Sequence, residues 1–232
     1  MKRTIVALDF QDKEKTLAFL DKFDEGIAVK IGMELFYKEG PEIVREIKRR
    51  GHYVFLDLKV CDIPNTAKGA FRSLASLDVD MINLHCYGGK KMMEAAMEGL
   101  KEGSKGELPL AIGVTILTSF DQDVLNTEIG IPGSIQDSAI RLATLAKESG
   151  LKGVVCSVFE AKKIHEVLGK DFVTVCPGIR MKSQDVQDQK RVATPEVAKE
   201  EGCDFIVVGR AITASEDPVK AYHDIEEAFE ND

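Results

Sequence analysis

Short apolar runs rich in β-branched residues recur along the chain at 4–9, 27–31, 53–59, 80–85, 110–115, 153–157, 172–176 and 205–208. Each predicts a strand. Most are continuous rather than alternating, the pattern of parallel strands buried on both faces. The stretches between them carry helical periodicity. Leu17, Leu20 and Phe23 share one face of 13–23. Ile43 and Ile47 stand four apart in 42–50, which Gly51 stops, and Ile140, Ala143 and Ala146 mark 136–148, followed by Gly150. Asp217 and Pro218 read as the N-cap and first residue of a helix over 219–229.

Eight strands alternating with about eight helices in 232 residues predict an α/β chain, a single (β/α)8 TIM barrel over 1–232. A doubly wound open sheet is the alternative. Its usual glycine-rich first turn is missing, because the first strand ends in Leu8-Asp9-Phe10. The unit between the fifth and sixth strands is long, and its extra length falls in 117–134. A second polar loop, 180–193, follows the seventh strand. Both belong to the C-terminal face, where barrel enzymes keep their chemistry, so both are expected to be active-site loops.

Composition narrows the partners. A net charge of -8 and a pI near 5.2 predict neither a nucleic-acid nor an anionic-membrane partner, since both need a basic face. No apolar run approaches the length of a membrane span, and Asp9 interrupts the first apolar run too early for a signal peptide. Five widely spaced cysteines without a CxxC pair predict a reduced, cytoplasmic protein without structural zinc.

The chemistry gathers at strand ends. In Asp57-Leu58-Lys59, the period of two turns Asp57 and Lys59 to the same face as Tyr53 and Phe55. Charges at the end of so apolar a strand are costly unless used. Asp62 follows on the loop, and Pro64 is placed to open the next helix. Lys30 interrupts a second apolar run and Asp9 tips the first strand. Alternating carboxylates and ammoniums lower the cost of burial and keep the lysines protonated. Arg180 after the seventh strand, and Gly209 and Arg210 after the eighth, fall where barrels of this kind hold phosphate. The four histidines form no triad or metal motif, and His85 reads as structural.

These motifs, in this order, resemble the orotidine 5′-monophosphate decarboxylase family across essentially the whole chain. The resemblance rests on Ala7-Leu8-Asp9, Val29-Lys30-Ile31-Gly32, Asp57-Leu58-Lys59 through Asp62-Ile63-Pro64-Asn65-Thr66, Pro177-Gly178-Ile179-Arg180, Asp188-Gln189-Lys190-Arg191 and Val208-Gly209-Arg210. It implies decarboxylation of orotidine 5′-phosphate to uridine 5′-phosphate, without metal or cofactor, in a cytoplasmic homodimer. It implies that Lys59 protonates C6 of the pyrimidine and that Asp57 lies against the departing carboxylate. Asp9 and Lys30 would hold the ribose and the charged network, and Thr118 would contact the base. Gln189, Gly209 and Arg210 would grip the phosphate, with Arg180 at the base of the closing loop, while Asp62, Ile63 and Thr66 would cross to the partner's site. Cys61, where a histidine is frequent, and Cys86-Tyr87, where smaller residues are usual, depart from the pattern at positions with no catalytic role. The nearest alternatives are a magnesium-dependent 3-keto-gulonate-phosphate decarboxylase or hexulose-phosphate synthase, which share a DxKxxD-like segment, and a silent nucleotide-binding barrel.

Overall fold

Apolar runs buried on both faces close on themselves when every strand is parallel and every crossover is a helix. A computed structural model describes residues 2–181 and 192–230. Its strands are β1 Thr4–Ala7, β2 Ala28–Gly32, β3 Tyr53–Val60, β4 Met81–His85, β5 Leu110–Val114, β6 Gly153–Val155, β7 Val173–Pro177 and β8 Phe205–Val208. They pair in sequence order, all parallel, with β8 returning to β1 in a closed barrel. The helices are α1 Lys13–Leu20, α2 Met33–Glu39, α3 Pro41–Arg49, α4 Pro64–Ala75, α5 Gly89–Gly103, α6 Ile135–Glu148, α7 Val158–Leu168, α8 Pro195–Glu200, α9 Arg210–Thr213 and α10 Pro218–Glu230.

The continuous runs divide between two cores. Ile5 and Ala7 point inward with Ala28, Phe55, Met81, Ile112, Val175, Phe205 and Val207 to fill the barrel. Their neighbours Val6 and Leu8 pack outward against the helices in the larger cluster. Both faces of each strand are therefore dry, so the sequence shows no polar alternation.

All eight predicted strands are present, the eighth with the expected ends and the others within two residues of theirs. The helix expected over 13–23 stops at Leu20. An additional helix, α2, precedes α3. Gly40 (φ 67°) and Pro41 separate the two, one turning the chain left-handed and the other opening the next helix. The long stretch after β5 holds a π-helical turn, Val124–Glu128, and Ser134 caps α6 by accepting from the Asp137 amide. Asp217 accepts from the Lys220 amide at the head of α10, as the Asp-Pro pair predicts. All five cysteines are free. No helix among the described residues is long and apolar enough to cross a membrane.

One helix contact positions the loop after β3. A β-carbon built on Gly99 of α5 would fall 2.0 Å from the Lys68 carbonyl oxygen of α4, and one on Gly103 would fall 2.1 Å from that of Arg72. Only glycine permits such backbone proximity. Lys68 also bridges Glu98 and Glu102. The first turns of α4 are thus held against α5 by backbone contact, and 61–66 leads directly into that anchored helix.

Candidate active site

All the strands run in one direction, so their C-terminal ends share one mouth. A cavity of ≈ 470 Å³ opens there, within the range of roughly 300–1,000 Å³ usual for ligand sites. Ala7, Phe55, Val114, Val155 and Val207 give it apolar wall, while Asp9, Lys30, Asp57 and Lys59 supply charge.

Those four groups form a chain of contacts from the first three strands. Lys30 Nζ lies 3.2 Å from Asp9 Oδ1 and 3.4 Å from Asp57 Oδ2. Lys59 Nζ donates to Asp57 Oδ1 at 2.7 Å. Asp57 is 8% exposed. Burial alone would raise its carboxyl pKa, but the ammoniums of Lys30 and Lys59, with hydrogen bonds from Lys59 and Asn83, hold it below the ordinary value. Burial likewise pulls Lys30 down, and the Asp57 and Asp9 carboxylates outweigh it and raise the lysine. The expected mutual support of opposite charges is present between Lys30 and Asp57.

The pairing of β3 with β4 slips at this point. Leu56 faces Ile82 and Val60 faces Leu84, so three residues of β3 stand opposite Asn83 alone. The slip adds two residues, which preserves parity, and Lys59 still reaches the side of Asp57. Simple alternation does not carry the chain there, however. Lys59 has φ 48°, a left-handed conformation uncommon outside glycine. Its amide donates to Asn83 Oδ1 at 2.8 Å, and Asn83 Nδ2 donates to Asp57 Oδ1 at 2.6 Å.

The rest of the rim comes from later strands, and β8 brings Gly209 beside Asp9, because β8 pairs with β1. Leu117 and Thr118 follow β5, Gly178 and Arg180 follow β7, and Gly209, Arg210 and Thr213 follow β8. Arg180 Nη1 donates to the Ile179 carbonyl at 3.0 Å. Of the residues expected from sequence, Asp9, Lys30, Asp57, Lys59, Thr118, Arg180, Gly209 and Arg210 line the one cavity. Asp62, Ile63 and Thr66 are not among its lining residues. They lie exposed between β3 and the first turn of α4, with Ile63 68% exposed and Asp62 Oδ1 accepting from the Ile63 amide. Gln189 lies outside the described residues, as does most of the loop expected over 180–193.

Asn83 and Thr213 escaped the sequence reading. The signal for Asn83 was an amide inside an otherwise apolar strand, two residues before His85; Thr213 had none beyond following Arg210. His85 stacks on Tyr87 with ring centroids 4.5 Å apart. Burial, and then the Lys59 ammonium, lower its pKa below the ordinary value.

A closed parallel barrel with a charged cavity at its C-terminal mouth is a (β/α)8-barrel enzyme. The chain belongs to the orotidine 5′-phosphate decarboxylase / HUMPS family, whose model matches residues 2–225. It is 54% identical to an orotidine 5′-phosphate decarboxylase of Bacillus cytotoxicus, covering 99% of this chain and 98% of that protein. A Bacillus mycoides protein of the same name is also 54% identical, over 97% of this chain and 96% of its own. Among solved structures, an orotidine 5′-phosphate decarboxylase from Lactobacillus acidophilus superposes with a TM-score of 0.89 at 39% identity, covering 99% of this chain and all of that one. A conserved Geobacillus kaustophilus protein superposes with a TM-score of 0.87 at 43% identity, covering 97% of this chain and 99% of that one.

Proposed function

We infer that the chain decarboxylates orotidine 5′-phosphate to uridine 5′-phosphate in pyrimidine biosynthesis. Family membership supports this, and the observation that carries it in the site is the Lys30–Asp57–Lys59 array sharing one cavity with Arg180, Gly209 and Arg210. A substrate with an anionic phosphate at one end and a carboxylate on a ring at the other matches those two sets of groups.

The chemistry asks for little else. The bond from C6 to the carboxylate breaks, the electron pair stays on C6 in the ring plane, and carbon dioxide leaves. The Lys59 ammonium stabilises that charge as it develops and gives its proton to C6. Asp57 orients Lys59 and lies against the substrate carboxylate. Asp9 and Lys30 meet the ribose, and Thr118 meets the base. Arg180, Gln189, Gly209 and Arg210 hold the phosphate, whose binding energy favours closure of the flanking loops. No step calls on a metal or cofactor. EDTA-treated protein is expected to consume orotidylate absorbance while forming uridine 5′-phosphate. No turnover would refute the assignment, and activity that depends on added magnesium would favour the sugar-phosphate alternative.

A homodimer in the cytoplasm completes the proposal. Asp62, Ile63 and Thr66 would enter the neighbouring subunit's site, and the 68% exposure of Ile63 at the head of an anchored helix supports that. A second cleft, ≈ 190 Å³, adjoins the charged array between Lys30, Glu34 and Met33 and would receive them. Four buried free thiols fit a reducing compartment. Ile63→Asp should shift the protein to monomer in sedimentation and remove most turnover with the fold intact by circular dichroism. A fully active monomer would overturn the shared site.

A further inference from the structure

We propose that Asn83 is a positioning residue for the catalytic pair, holding both the Asp57 carboxylate and the backbone of Lys59 without touching substrate. The proposal rests on the decarboxylase reading above and adds to it a residue from β4, a strand that lends the cavity no lining side chain.

The register slip creates the need. With residues 57–59 opposite one residue of β4, the ladder offers the Lys59 amide a side chain in place of a main-chain carbonyl. Asn83 is 1% exposed, so water cannot stand in for it. Both ends of its amide are committed. The Lys59 N–H can only donate, which calls for the oxygen at 2.8 Å, and the ionised Asp57 can only accept, which calls for the nitrogen at 2.6 Å. The amide orientation therefore follows from its partners.

No hydrophobic residue and no ionised carboxylate supplies both bonds. Leucine has similar bulk and neither bond. Aspartate keeps the acceptor for the Lys59 amide and loses the donor to Asp57. The oxygen of Asp57 that Asn83 grips is the one that receives the Lys59 ammonium. Asn83 thus fixes that oxygen from one side and the left-handed backbone of its lysine from the other. The charged groups around it are Asp57 and Lys59 of β3, His85 further along β4, Lys30 on the second Asp57 oxygen, and Asp9 beyond Lys30.

The test compares wild type, Asn83→Leu and Asn83→Asp for kcat and KM with orotidine 5′-phosphate, for binding of uridine 5′-phosphate, and for the pH dependence of kcat/KM. In Asn83→Leu, kcat should fall about 100-fold, the scale of a misplaced reacting group. Affinity for uridine 5′-phosphate should stay within about threefold, because the phosphate rim is untouched. In Asn83→Asp, two carboxylates meet where one donor stood and cannot both ionise. The acid limb of kcat/KM should therefore move up by about two pH units. A purely structural role would move neither the kcat-to-binding split nor the pH limb. If Asn83→Leu fails to fold, the isosteric aspartate variant decides alone.

Turnover within about threefold of wild type in the variants, with an unshifted acid limb, would overturn the proposal, and so would loss of nucleotide binding in step with kcat. Wild type run in parallel separates the two failures. Active wild type with unaffected variants sinks the role of Asn83 only, whereas wild type inactive on orotidylate sinks the decarboxylase reading and the proposal with it.

Discussion

Lys59→Ala should abolish turnover while leaving uridine 5′-phosphate binding measurable. Two contributions vanish together: the proton donor and the cation facing the developing carbanion. Each is worth between about 10² and 10⁴ in comparable sites, so a combined fall of about 10⁵-fold in kcat/KM is expected. The fold should survive, because Asp57 retains Lys30 at 3.4 Å and Asn83 at 2.6 Å. Arg180, Gly209 and Arg210 keep the rest of the cavity rim intact. Position 59 adds an internal control, since its φ of 48° suits glycine better than alanine. Lys59→Gly should match the alanine variant in activity and exceed it in stability by about 1 kcal/mol. Absorbance assays with calorimetric titration of the product check both claims. Turnover within tenfold of wild type, about 1.4 kcal/mol in the barrier, would refute Lys59 as the acid.

The second large effect concerns stability as much as rate. Asp57→Asn removes a carboxylate that contacts both lysine ammoniums. Breaking a buried ion pair costs about 3–5 kcal/mol; with Lys30 still bound to Asp9 and Lys59 partly exposed, about 2–4 kcal/mol is expected. Turnover should fall by about 10³-fold as Lys59 loses the anchor that aims it. The pH dependence has a defined sign. The folded-state pKa of Asp57 is depressed, so its contribution is present above the unfolded value of 3.8 and disappears as pH falls through the lower folded value. Wild type should therefore lead the asparagine variant at neutral pH and converge with it in acid. Lys30 acts at the other end. Its pKa is raised, so its contribution is complete below the unfolded value of 10.5 and is lost as pH rises through the folded one. Urea melts of both proteins across acid and neutral pH would measure the gap, and a gap independent of pH would refute the electrostatic account.

Much of this was legible in the sequence for a physical reason. Strands dry on both faces are written as unbroken apolar runs, so Ile5–Leu8, Val54–Leu56 and Phe205–Val208 could be found without knowing the fold. Charges that end such runs stand out against them, which exposed Asp9, Lys30, Asp57 and Lys59. Asn83 did not stand out, because its meaning depends on a register slip that is a property of two strands and is written in neither. The break between α2 and α3 was marked by Gly40-Pro41, but it falls inside one crossover and changes no strand count. Asp62, Ile63 and Thr66 do not line the cavity of their own chain, so the role proposed for them depends on a surface that one chain cannot supply.

The backbone contact of α5 with α4 gives that last point a mechanical side. Two parallel helices touching through Gly99 and Gly103 bend as one beam instead of two. The beam's free end carries 61–66, the segment that a neighbour's site would borrow. In the proposed dimer, stiffness built on the flank of one polypeptide would become aiming accuracy in another. A single methyl added at Gly99 would pry the beam apart far from its own subunit's lysines, and the blur would be felt in the chemistry of its partner.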